Sequence, residues 1–236
     1  KHFCGKQENF IEKFLNNSQW MYQNYLYFNS KETSSRQEFL LDISNKAIND
    51  IPLVRSHQTG SYSIDSMLDA VSICQYTDTY HQLVSGARVL DLRPGMYKAE
   101  VQGKDSKGKV TKKKIDQLCA GHGPHKGELL STIFEDLKRF LEENKHEIVV
   151  VELQKASGIG SFSYTPNDEI CRKMLSQIIE GFSEYILTTK DVEAYNKMNG
   201  TNIQHFTHLT YRQIAIEIKK PLIFMINSPS ISQAMF

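Results

Sequence analysis

Apolar and polar positions follow two different patterns, and the change comes near residue 51. Before it, Phe10, Ile11, Phe14 and Leu15 repeat at the i, i+1, i+4, i+5 spacing of one helical face. Phe39, Leu40, Ile43 and Ala47 do the same over about 36–48, after the polar stretch Asn29 to Arg36. From residue 51 short apolar runs alternate with helical patterns. The runs are Ile51 to Arg55, Ala87 to Leu92, Ile115 to Ala120, Ile148 to Leu153 and Leu222 to Ile226. Leu129, Ile133, Leu137 and Leu141 recur every four residues with charges between them, and Ile170, Met174, Leu175 and Ile178 are spaced alike. Residues 64–74 and 209–219 also read as helices. Strands alternating with helices predict an α/β fold with a parallel sheet, open or closed into a barrel. The division is a helical extension over 1–50 and an α/β unit over 51–236.

Residues 95–114 break the alternation. They are rich in Lys and Gly, with alternating flanks, and read as a β-hairpin or an exposed loop. Gly95 to Lys126 holds eight lysines against three acids. A solvated hairpin accounts for this, and so does electrostatic contact with an anionic membrane surface. The whole chain is nearly neutral, with 28 Lys and Arg against 27 Asp and Glu in 236 residues, which argues against a dedicated nucleic-acid binder. No apolar run is long enough to cross a membrane as a helix. Cys4, Cys74, Cys119 and Cys171 form no C-x-x-C pair, so a zinc knuckle is unsupported. Two disulfides and four buried thiols both fit. The first residue is Lys, consistent with removal of a signal peptide or with a trimmed chain, and two Asn-x-Ser/Thr triplets, at Asn16 and Asn199, lean toward a secreted or cell-surface protein.

Each of the first three runs carries polar groups at its end: Ser56-His57-Gln58 with Gly60 following, Asp91 and Arg93, and Gly121-His122-Gly123. In parallel α/β folds the loops at the carboxyl ends of the strands converge on one mouth. His57, Arg93 and His122 are separated by 36 and 29 residues, about one βα unit each, so one rim can hold all three. The neighbouring glycines permit tight turns and close ligand approach. Two histidines and an arginine suit phosphodiester cleavage. One imidazole takes a proton from an attacking hydroxyl, the other protonates the leaving oxygen, and the guanidinium fork matches phosphoryl oxygens.

At these positions the chain resembles the X domain of phosphatidylinositol-specific phospholipases C. Ile51-Pro52 through Ser56-His57 is similar to that family's Ile-Pro-Gly-Thr/Ser-His segment. Gly86 to Arg93 closely resembles its Gly-x-Arg-x-x-Asp-x-Arg motif, with Gln82-Leu83 upstream. His122-Gly123 resembles the His-Gly after the third strand, and Lys145 to Val150 the passage into the fourth. The likeness covers roughly residues 51–155 and is less clear to 226. It implies a TIM-type (β/α) barrel and an enzyme that cleaves phosphatidylinositol, or a glycosylated form of it, to a cyclic inositol phosphate and a lipid alcohol at a membrane surface. His57 becomes the general base, His122 the general acid and Arg93 the phosphoryl ligand. Asp91 orients Arg93 or a histidine, and Gln58 and Lys155 contact substrate.

Calcium-dependent members carry an Asn after the first His and carboxylates on strands two and four. Here those positions are Gln58, Asp91, Arg93 and Gln154, with one carboxylate among them. Calcium favours several acidic oxygens, so the expectation is the metal-independent type, with no metal or other cofactor. Metal-independent members place an Asp where Gln58 stands, which predicts reduced activity or an altered leaving-group preference. The alternatives are a non-catalytic phosphoinositide-binding module, or a glycerophosphodiester- or sphingomyelin-cleaving barrel. A closed barrel takes about 250 residues. With some fifty residues before the first run and five convincing strands, the barrel is expected to be distorted or incomplete in this chain.

Overall fold

The computed structural model describes residues 43–64, 72–104, 106–154 and 168–226. The expected helix around 10–15 lies outside these residues, as do most of those read at about 36–48 and 64–74; of the former 43–44 are helical and a 3-10 turn begins at Ile48, and 72–74 are not helical.

Two sheets carry the described residues. Strands β1 (Arg55–Ser56), β2 (Val89–Leu92), β6 (Val149–Leu153) and β7 (Leu222–Ile226) form a parallel sheet in the order β1-β2-β6-β7. Strands β3 (Pro94–Lys104), β4 (Val110–His122) and β5 (His125–Leu129) form an antiparallel sheet inserted between β2 and β6 in the chain. No closed barrel forms among the described residues. The α-helices are α1 (Thr79–Val84), α2 (Leu130–Glu143), α3 (Asp168–Phe182) and α4 (Thr189–Asn199), and a π-helical turn spans Gln213–Ile218.

Register divides the parallel sheet into two faces. On one, Leu90 pairs with Val151, and Leu92 with Leu153. These residues are buried with Ile133, Leu137 and Leu141 of α2 and Met174 and Ile178 of α3. The four-residue repeats thus become the helix faces that cover the sheet. On the other face Val89 pairs with Val150, and Val150 with Ile223. This layer packs in a second core with Ile43, Ile51, Leu209, Tyr211 and Ile214. Two residues along, the same face presents Asp91 beside Glu152. It is apolar at its lower end and charged at the carboxyl ends of the strands.

A buried ion pair closes the lower end. Arg88 Nε donates to Glu147 at 2.9 Å, its Nη1 donates to the carbonyls of Leu83 and Ala87, and the guanidinium lies over the Phe140 ring. The fully buried Tyr211 hydroxyl donates to the His146 carbonyl and accepts from the Ile148 amide. Its pKa is pushed well above the ordinary phenol value by burial and by the Glu147 charge.

Three expectations change. The run Ile51 to Arg55 contributes only Arg55 to a strand: Pro52 has no N–H to offer a ladder, and pairing begins where the Val54 carbonyl accepts from Arg88 and Val89. The run Ile115 to Ala120 is not a parallel strand but the inner half of β4, eleven of whose residues pair with β3. The helix read at 209–219 is a π-helical turn ended by Lys219 in the left-handed region. Short α1 escaped the periodicity, and so did α4, which carries a capping box between Thr188 and Asp191 and ends at Gly200 with positive φ. Cys74 and Cys119 are free thiols.

Candidate active site

The charged end of the parallel sheet is organised by Asp91, whose side chain is 0% exposed. A buried carboxylate persists only if its oxygens are taken up. Arg93 approaches both, with Nε 3.3 Å from Oδ1 and Nη2 3.1 Å from Oδ2. Oδ2 also accepts from the Gln58 amide at 3.3 Å and lies 3.2 Å from both His57 Nδ1 and Arg55 Nη2, at ion-pair distance. Strand parity explains the convergence, since residues two apart share a face. Arg55 and His57 lie two apart at the end of β1, and Asp91 and Arg93 two apart at the end of β2.

A carboxylate beside Nδ1 favours the tautomer with its proton there, which leaves Nε2 to exchange one. The His57 side chain is 53% exposed, enough for a substrate to reach it. A turn fixes its position. Gln58 takes φ 49°, an uncommon conformation for a side chain of its size, and a 3-10 helix follows over Thr59–Ser63. Gln75 Nε2 donates to the His57 carbonyl at 2.8 Å. Gln82 bonds the Ser56 hydroxyl and donates to the carbonyls of Thr59 and Thr77. The Gln82-Leu83 signature therefore serves to hold the β1 turn, with Leu83 in the core.

His122 reaches the rim by a different route. Gly123 (φ 60°) and Pro124 form a two-residue turn, and His122 pairs across it with His125. Glycine first in such a turn supplies the positive φ. The Gly121 amide donates to the Arg93 carbonyl at 3.1 Å, tying the end of β4 to the end of β2. A Cβ at Gly121 would overlap the buried Tyr97 side chain, whose hydroxyl donates to the Gly123 carbonyl at 3.0 Å. One at Gly60 would overlap Ala120, and one at Gly127 would overlap the Gly60 carbonyl. These glycines serve close packing of the turns rather than ligand approach.

His122 Nδ1 lies 3.1 Å from the Ser72 carbonyl. A carbonyl only accepts, so Nδ1 carries the proton and Nε2 is again the exchanging atom. Cys74 Sγ lies 3.7 Å from the same carbonyl and 3.4 Å from Gln58 Oε1. Gln58 is buried, with its amide on Asp91 and its side chain directed through Cys74 toward the segment that holds His122. Lys155 lies outside the described residues. His125 sits beside His122, and His146 precedes β6 at the opposite end of the sheet.

Sequence reasoning passed over Arg55, Glu152 and Cys74. Arg55 Nε donates to Glu152 at 2.7 Å and Gln154 Nε2 donates to the same oxygen at 3.2 Å, so strands β1, β2 and β6 are linked by charge at the mouth. Two-residue parity from His57 and from Gln154 was the signal that could have found Arg55 and Glu152. Among the described residues no group of three or more His, Cys, Asp or Glu side chains is arranged to hold a metal ion.

Comparison with solved structures gives phosphatidylinositol-specific phospholipases C from bacteria. The Staphylococcus aureus enzyme matches with a TM-score of 0.50 and 19% identity over 78% of this chain and 50% of its own. A pentafluoro-phenylalanine form of it matches with TM-score 0.50 and 17% identity over the same shares. The Listeria monocytogenes enzyme gives 0.49 and 17% over 78% and 54%. The match thus spans about half the length of these proteins. No family model matches the chain, and no curated protein matches it. At such identity the likeness is one of fold: an α/β, TIM-type barrel, distorted and not closed among the described residues.

Proposed function

We propose that the chain cleaves an inositol phospholipid, phosphatidylinositol or a glycosylated form of it, as a phospholipase C that needs no metal. The observation that carries this reading is the hold of one buried carboxylate, Asp91, on both the imidazole of His57 and the fork of Arg93 at the mouth of the parallel sheet. His57 Nε2 takes the proton of the inositol 2-hydroxyl as that oxygen attacks phosphorus. The bond from phosphorus to the lipid oxygen breaks, and His122 Nε2 delivers a proton to the departing oxygen. A cyclic inositol phosphate and a lipid alcohol result. Arg93 neutralises charge building on the phosphoryl oxygens.

Charge balance supports the scheme. Asp91 and Glu152 offset Arg55 and Arg93, so a bound phosphodiester adds one uncompensated negative charge, which protonation of a histidine offsets. The guanidinium of Arg93 stands where a calcium ion would need oxygens, which favours a metal-free route. Lys155 is proposed as an inositol contact, Gln58 as a support for the His122 side, and a secreted or cell-surface protein as the setting.

A second reading, phosphoinositide binding without turnover, draws on Arg55. Its guanidinium shares Asp91 Oδ2 with His57 and competes for the lone pairs that orient the base. Product analysis with phosphatidylinositol and with a glycosylated anchor, each with and without chelator, tests both. Cyclic inositol phosphate formed in the presence of chelator, and lost in His57→Ala and His122→Ala, is the expected result. Full activity in both variants overturns the mechanism, binding without product favours the second reading, and activity abolished by chelator favours a metal-dependent phosphodiesterase.

A further inference from the structure

The β3–β4 hairpin is the largest feature that the proposed chemistry leaves unused. Its base belongs to the mouth of the sheet: β3 begins at Pro94, directly after Arg93, and β4 ends at His122. The inner rungs are buried at Tyr97, Leu118, Cys119 and Ala120. The outer rungs are exposed, Gln102 and Gly103 on one strand and Val110, Thr111 and Lys112 on the other. At about 3.4 Å per residue, eleven paired positions make the hairpin roughly 30 Å long, with its tip at the end away from Arg93 and His122. Gly108, at φ 77°, turns the chain there.

Charge gathers on this projection. The segment from Gly95 to Lys126 holds eight of the chain's lysines and three acids, on a protein whose net charge is +1, so the remainder is net negative. Lys107, Lys109 and Lys112 are exposed around the tip, and Val110 between them is 56% exposed. An apolar side chain among lysines matches a bilayer surface carrying acidic headgroups, where each lysine adds attraction that salt screens.

We infer that the β3–β4 hairpin docks the protein on anionic bilayers through Lys107, Lys109, Val110 and Lys112, and so concentrates it at the surface where a lipid substrate lies. This rests on the reading of the site as lipid-cleaving, but its test does not depend on turnover. The full chain is sedimented with phosphatidylcholine vesicles, with and without phosphatidylserine, over a range of salt. The expected result is binding that requires phosphatidylserine and weakens with salt. In a Lys107→Glu, Lys109→Glu, Lys112→Glu variant it falls at least about tenfold. A matched control, Lys138→Glu, Lys190→Glu, Lys197→Glu, carries the same net charge on exposed helix positions elsewhere and retains far more binding.

Equal binding to vesicles without phosphatidylserine overturns the inference, as do equal losses in the two variants or tighter retention on single-stranded RNA than on anionic vesicles. Far-UV circular dichroism identifies a variant that fails to fold, and the salt dependence of the unaltered protein then still decides. Cleavage of a soluble inositol phosphodiester separates the two readings. The hairpin variant keeps it if both hold, and hairpin-dependent docking by a protein that cleaves nothing leaves the docking and removes the catalysis.

Discussion

Asp91 gathers two guanidiniums, an imidazole and an amide around one buried carboxylate, so its substitution acts on stability and chemistry together. Asp91→Asn leaves the cationic partners without their counter-charge, and because Arg55 and His57 are substantially exposed the expected cost is about 1–3 kcal/mol. Chemical denaturation measures that loss. Arg93→Lys keeps the charge but removes the fork, and the expected fall in kcat on a soluble substrate is about 10²-fold, with a smaller change in KM. Gln58 separates two effects that its position combines. Gln58→Asn eases the left-handed backbone, a conformation in which Asn is enriched, and should raise Tm, while its shorter side chain gives up the Cys74 contact and should lower kcat. Gln58→Asp also brings a charge toward Cys74 and the His122 segment, and is expected to raise kcat. A Gln58→Asp protein no faster than the parent on a soluble phosphoinositide analogue removes the carboxylate argument. Among the thiols, burial pushes Cys119 up to about 11 against the pull of Lys126, whereas Cys74 is partly exposed beside Gln58. Alkylation at mildly alkaline pH, followed by peptide mapping, should label Cys74 well before Cys119.

Between elements, the motif Gly86 to Arg93 divides its two arginines between different tasks. Arg88, just before β2, is 3% exposed and pairs with Glu147, two residues before β6, while Arg93 opens on the mouth. Removing one member of the lower pair strands a buried charge, so Arg88→Met should destabilise by about 3–5 kcal/mol, and Arg88→Met with Glu147→Leu should recover much of the loss. Urea unfolding of the single and double variants checks this, and equal losses would show that the pair contributes nothing beyond side-chain packing. The antiparallel insert is an element of a different kind. It delivers His122 by a glycine turn and anchors it through Gly121 and Tyr97, without the usual crossover helix. A Gly121→Ala substitution should therefore impair His122 chemistry more than His57 orientation.

For the molecule as a whole, the docking proposed for the hairpin draws on a mouth with balanced charges and a strongly cationic hairpin leaving it, and no described helix is long and apolar enough to cross a membrane. Much of this was legible in the chain. The repeats Leu129–Leu141 and Ile170–Ile178 became covering helices, and the runs at Val149–Leu153 and Leu222–Ile226 became central parallel strands, because burial on both faces demands continuous apolar residues. His57, Asp91 and Arg93 were legible because strand ends place functional groups at one mouth. The third run misled because a strand's pattern does not say whether its partner runs parallel or antiparallel: Ile115 to Ala120 is equally apolar in either arrangement. That choice belonged to the turns. Gly108 reverses β3 into β4, and Gly123 with Pro124 reverses β4 into β5. The sequence by itself thus determined the apolar faces of α2 and α3, the central strands β6 and β7 and which side chains stand at strand ends, since these depend on local spacing. Only the tertiary structure decided that Asp91 serves His57 and Arg93 together, that Arg55 and Glu152 join them, and that Gln58 faces Cys74. Those contacts depend on register between strands dozens of residues apart, and pairing across a sheet leaves no trace in the spacing along either strand.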